Sequence, residues 1–140
     1  MAISSYHQSL GLVADCMAKS DLYCRYPIAC LTMWVEPAIR HNQIRFFYDD
    51  ADNLVGYIVW AFLASDTEYR LIHDPHVLFH ISEWNEGDQF WIMDMVVLNG
   101  EVRQLIRKAF AFFPQLHVAK SLRRNDDGTV RKITTWRRKK

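Results

Sequence analysis

Glycine is scarce in this chain and nowhere clustered. Gly11, Gly56, Gly87, Gly100 and Gly128 stand singly, so no glycine-rich turn opens a helix on which a coenzyme A or nucleotide pyrophosphate would rest against backbone N–H groups. A Walker loop and a G-x-S-x-G elbow are also missing, which argues against P-loop chemistry and the α/β-hydrolase nucleophile. Cysteine is almost as rare. Cys16, Cys24 and Cys30 are odd in number and never at C-x-x-C spacing, so neither a disulfide framework nor a structural zinc site is expected. No stretch of eighteen apolar residues occurs, and the amino terminus has no basic region leading into an apolar run. A membrane-spanning helix and a secretory signal are therefore not expected, and a cytoplasmic protein is. An excess of charge is lacking too: 17 Lys and Arg face 16 Asp and Glu, for a net +1, unlike a protein that coats nucleic acid.

What is present is apolar. Half of the 140 residues are hydrophobic and 14% are aromatic, enough for a real core without metal or disulfide staples. With no repeat and no linker-like stretch, one domain over 1–140 is expected. The near-neutral charge hides an asymmetry. Arg123, Arg124, Arg131, Lys132, Arg137, Arg138, Lys139 and Lys140 crowd the carboxyl end, whereas the acids gather between Asp49 and Asp94. That basic end suits an acidic partner.

Apolar residues at Leu10, Val13, Ala14 and Met17 predict an amphipathic helix over 5–18, capped by Ser4 or Ser5. Residues 19–27 break the pattern as a loop. The run after Pro27 is apolar enough for a buried helix, which Pro37 must end or kink. Strand formers at 44–48 and 54–63 flank the turn cluster at 49–53, and Gly56 is a candidate bulge. A short helix from Ser65 stops before Pro75. Residues 90–98 read as a central strand, 101–113 as a helix, and 115–123 with 129–136 as a hairpin around Asn125-Asp126-Asp127-Gly128. The class is α+β, with a mixed, mostly antiparallel sheet flanked by helices.

Asp94 stands out, because a carboxylate inside an apolar strand costs several kcal/mol unless it is paired. It is either satisfied by local backbone N–H groups or held for chemistry. His76 and His80 have the i, i+4 spacing of a metal pair, but Pro75 breaks any helix there and no H-E-x-x-H motif accompanies them, so no metal is expected. The basic end with Trp136 has the makings of a nucleic-acid contact, although a solvated tail explains it as well.

Four stretches taken in order carry a resemblance. They are SDLYCRYP over 20–27, PAIRHNQ over 37–43, VGYIVWAFL over 55–63, and WNEGD running into FWIMD over 84–94. The set resembles the toxin-activating lysine acyltransferases of the hemolysin-activating family. That family's pattern is Ser-x-x-His-x-x-Trp-Pro, Pro-x-Ile-x-x-x-Gln, a Tyr-Cys-x-Trp-Ala-type strand and Trp-x-x-Gly-Asp-x-x-Trp-x-x-Asp. The resemblance implies an N-acetyltransferase-like fold and fatty-acyl transfer from acyl carrier protein to a lysine ε-amine of a protein substrate. It implies no cofactor beyond the carrier and agrees with the missing pyrophosphate turn. The carrier is acidic, which gives Arg123, Arg124, Arg137 and Arg138 a partner. Family members can also pair as homodimers.

Position by position, the family's catalytic aspartate falls on Asp94 and its catalytic histidine on Tyr23. Ser20, Asn42, Gln43 and Trp84 fall on scaffold or site-wall positions expected to line the substrate. Tyrosine titrates near ~10 and is a poor base, whereas histidine near ~6.5 is a good one. Three readings follow. In the first, this is an acyltransferase with Asp94 as base and Tyr23 as proton donor. In the second, it is an inactive relative that binds acyl carrier protein or another protein. In the third, it is a nucleic-acid or host-factor binding module, which the near-neutral charge disfavours.

Overall fold

The computed structural model describes residues 4–138; Lys139 and Lys140 of the basic end lie outside the described residues. Helix α1 (Ser5–Lys19) begins where the Ser4 hydroxyl accepts the N–H of His7, the expected cap. Strands β1 (Ile44–Tyr48) and β2 (Leu54–Leu63) form the first hairpin, and helix α3 (Ser65–His73) follows helix α2 (Glu36–Arg40). Strand β3 (Gln89–Val97), helix α4 (Val102–Ala111), and strands β4 (Val118–Arg124) and β5 (Val130–Arg137) complete the order. The sheet has five strands in the order β1-β2-β3-β4-β5. β1 is antiparallel to β2, β3 parallel to β4, and β4 antiparallel to β5. This is the expected α+β class with a mixed sheet, compatible with an N-acetyltransferase-like acyltransferase fold.

The residues group into two compact units, one of residues up to 59 with 94–105 and one of 60–93 with those from 106 onward. In the first unit, α1 buries Val13, Cys16 and Met17, each large side chain contributing about 1.5–3 kcal/mol of apolar burial. The guanidinium of Arg40 lies 5.1 Å over the Tyr6 ring. Gly56 is a glycine for a reason of space: a Cβ there would sit 2.1 Å from the Val96 carbonyl oxygen. The register beside it steps from Phe47↔Gly56 to Tyr48↔Leu54, which leaves Val55 extra on β2. A bulge at this glycine is thus what the strand has.

The segment after Pro27 departs from expectation. Instead of one buried helix, a π-helical turn (Leu31–Val35) leads into α2. Pro37 is the cause: it offers no N–H to the carbonyl of Met33 and its ring crowds that carbonyl. The turn widens ahead of it, and the Glu36 N–H donates to the Leu31 carbonyl, five residues back. Nor is the segment buried, since Ile28, Met33 and Trp34 are 81%, 47% and 40% exposed.

In the second unit, Phe62, Phe90 and Phe113 meet at centroid distances of 5.3–6.4 Å, with Trp60 5.1 Å from Phe113. Gly87 must lack a Cβ because one would lie 2.2 Å from the Leu63 carbonyl; its N–H donates to the Phe62 carbonyl. The stretch expected to be irregular contains a 3₁₀ turn (Ile81–Trp84), which the His80 ring caps by accepting the N–H of Ser82. Trp91 of β3 pairs with Lys120 of β4.

Candidate active site

Asp94 sits in β3, where strand alternation sends its side chain into the interior; it is 7% exposed. Its Oδ2 accepts the Tyr57 hydroxyl at 2.7 Å, and its Oδ1 accepts the N–H of Met95 at 2.9 Å. Tyr23 lies close enough to the same carboxylate to feel its charge. Among the described residues no Lys, Arg or His forms an ion pair with Asp94.

The electrostatics follow from that arrangement. Burial pushes the Asp94 carboxyl above its ordinary range, and the bonds from Tyr57 and the Met95 N–H only partly oppose it, because desolvation penalises the charged form. Burial, then the Asp94 charge, drives the Tyr23 and Tyr57 phenols well above their usual value. Both tyrosines are therefore neutral donors. Cys30, buried in the π-turn's cap, is raised by burial and then by Asp94. Burial carries the Cys16 thiol up to about 11, with Asp15 adding to this and Lys19 opposing it. Thiols raised in this way are poor nucleophiles. Cys24 is exposed, with its Sγ 3.6 Å from the Asp21 carbonyl.

Short-range structure explains how Tyr23 comes to Asp94. The chain leaves α1 at Ser20, whose hydroxyl accepts the Tyr23 N–H at 3.3 Å and whose carbonyl accepts the Cys24 N–H at 2.9 Å. A 3₁₀ turn (Tyr23–Arg25) follows at once. Ser20 thus orients Tyr23, and this is the contact the structure gives it. Asn42 is exposed with φ 56°, a left-handed turn position that asparagine tolerates. Gln43, next to it, is 4% exposed, and its N–H donates to the Ala38 carbonyl at 2.7 Å. Trp84 is buried in the second unit, with its ring 6.5 Å from that of Phe79.

Two of the four arginines expected to meet a partner are committed inside the protein. Arg124 donates to the carbonyls of Gly128 and Leu71. Arg138 donates to the carbonyls of Phe110, Phe113 and Leu116, closing the end of α4, and stacks 5.2 Å over Phe110. Arg123 and Arg137 are exposed.

Sequence reasoning did not single out Tyr57. Its signal lay in the third motif, whose tyrosine stands on a strand where alternation gives an inward polar group that needs a partner.

A family model described as the RTX toxin acyltransferase family matches residues 4–137. The chain belongs to the RTX toxin acyltransferase family. Similar proteins include the RTX-II toxin-activating lysine-acyltransferase of Actinobacillus pleuropneumoniae, 30% identical over 114 residues, covering 81% of this chain and 70% of that one. The protein-lysine myristoyltransferase of Kingella kingae is 30% identical over 105 residues, covering 73% and 62%. An uncharacterized protein of Synechocystis sp. is 26% identical over 130 residues, covering 91% and 87%. No helix among the described residues is long and apolar enough to cross a membrane.

Proposed function

We propose that this chain is a protein-lysine acyltransferase that moves a fatty-acyl group from acyl carrier protein to a lysine ε-amine. One observation carries the reading. Asp94 is a buried carboxylate with no cationic partner among the described residues, and Tyr23, which falls on the family's histidine position, lies near enough to feel its charge. A lysine ammonium near pH ~10.4 must lose a proton before its nitrogen attacks. A carboxylate raised by burial is a better base at neutral pH than an ordinary one, because its pKa lies closer to the working pH.

In the transfer step the lysine nitrogen attacks the thioester carbonyl, a C–N bond forms and the C–S bond breaks. The ammonium proton passes to Asp94, and the carrier's thiolate leaves and takes up a proton. Tyr23, a neutral phenol beside Asp94, donates to the developing oxyanion or to the leaving sulfur. Acyl carrier protein is acidic, and the exposed Arg123 and Arg137 supply positive charge for it.

A second reading, an inactive relative that binds carrier or substrate, rests on one specific feature. Tyr23 offers no basic nitrogen, and the Tyr57 phenol points its proton at the carboxylate. Intact mass spectrometry of carrier, lysine-bearing protein and this chain separates the two readings. Acyl mass gained by the acceptor supports transfer. Carrier binding without transfer, converted to transfer by Tyr23→His, supports the inactive relative.

A further inference from the structure

The segment between α1 and α2 exposes an unusual amount of apolar surface. Leu22, Tyr26, Ile28, Met33 and Trp34 are 55%, 37%, 81%, 47% and 40% exposed. Single exposed apolar residues need no explanation, but a contiguous group marks a binding surface. This group is linked to the reacting atoms by ring contacts. Tyr23, near enough to Asp94 to feel its charge, lies 4.9 Å from Tyr26, and Tyr26 lies 6.1 Å edge-on to Trp34. The backbone itself presents the far end: the π-helical turn (Leu31–Val35) buries Val35 and turns Met33 and Trp34 outward, and π-turns concentrate at functional sites.

Charge identifies the occupant. Arg25 is the one charged residue over 22–35, and 26–35, which hold Tyr26, Met33 and Trp34, include none, so an acidic carrier or a basic acceptor peptide finds little charge complement along those three. A wholly apolar ligand needs none. A chain that starts beside Tyr23 and runs toward the exposed apolar side chains meets Tyr26 first.

We infer that Tyr26, Met33 and Trp34 form the seat along which the tail of the transferred acyl chain lies, and that they set its length preference. The inference rests on the acyl-transfer reading above. Its consequence is a donor affinity that rises with chain length, by about twofold per methylene for a half-covered tail. Shortening the chain beyond the reach of Trp34 removes the gain.

The test uses amide-linked acyl-pantetheine donors, which bind but cannot transfer, titrated calorimetrically into the whole chain. Myristoyl-pantetheine is expected to bind at least tenfold more tightly than acetyl-pantetheine. Trp34→Glu is expected to weaken the myristoyl compound about tenfold or more and leave the acetyl compound unchanged, while Trp34→Phe retains most of the affinity. Because Trp34 is exposed, neither change threatens the core; circular dichroism and melting temperature check this. Equal myristoyl affinity for wild type and Trp34→Glu overturns the seat. So does a dimer, seen by sedimentation, that Trp34→Glu dissolves without altering acyl binding, since a second copy then covers the patch. The two proposals fail separately. Myristoyl binding that depends on Trp34 without any transfer sinks the acyltransferase reading alone; transfer with an unchanged chain-length profile in Trp34→Glu sinks the seat alone.

Discussion

Two buried or half-buried carboxylates in this chain are treated in opposite ways. Glu68 on α3 accepts the Trp91 indole N–H at 2.7 Å and the Lys120 ammonium at 3.0 Å, and that ammonium also lies 5.8 Å over the Trp91 ring. Asp94 has the Tyr57 phenol and a backbone N–H but no cationic partner among the described residues. Glu68 ties β3, β4 and α3 together within one unit. Burial without a cation raises the proton affinity of Asp94 and suits it to accept a proton.

Removing each charge in turn puts the contrast under the most pressure. Asp94→Asn keeps the acceptor oxygen for Tyr57 but cannot take a proton, and transfer is expected to fall about 10²–10⁴-fold. Glu68→Gln is expected to stay within about threefold of wild type in the same assay. A similar loss in both would erase the distinction between the two carboxylates.

Next in size is the effect of Tyr57→Phe. It deletes a hydrogen bond that favours the charged form of Asp94, so the carboxyl should rise further. The ascending limb of the rate–pH profile should move to higher pH, with transfer at neutral pH down about tenfold. An unmoved profile would show that Tyr57 only packs.

Stability against pH is a third handle. The Asp94 pKa is raised on folding, so its contribution is fully present below the unfolded value of about 3.9 and is lost as pH rises through the folded value. Each unit of that rise corresponds to about 1.4 kcal/mol. Urea midpoints of wild type and Asp94→Asn should therefore diverge in favour of Asn across that window, and parallel curves would contradict the direction of the shift. The smallest effect belongs to Glu68→Gln, a loss of roughly 0.5–1.5 kcal/mol from the ion pair and indole bond, measurable by the same titration.

Much of the scaffold is legible in the sequence. Strand-forming runs, turn clusters and period-3.6 patterning mark all five strands and α1, α3 and α4 to within a few residues. The stretch from Pro27 to Val35 is not legible. Its hydrophobicity matches a buried helix, and nothing in composition separates apolar residues destined for a core from those held outward by a π-turn. Asp94 is legible as an anomaly, and its association with Tyr23 is implied only by the family resemblance. Tyr57 is not, because a tyrosine on an apolar strand is ordinary until its partner 37 residues away is known. Arg124 and Arg138 mislead for the opposite reason: in sequence they are part of a basic tail, and only the carbonyls they meet show that they act as caps.

Whether Asp94 takes the lysine proton is decided by single-turnover transfer from myristoyl-loaded acyl carrier protein. The rate is followed by intact mass from pH 5 to 9 in wild type, Asp94→Asn and Glu68→Gln. The expected result is a rate in wild type and Glu68→Gln that climbs with pH through one ionisation, and a flat, residual rate in Asp94→Asn. An Asp94→Asn rate that climbs along the same curve would show that the proton goes elsewhere.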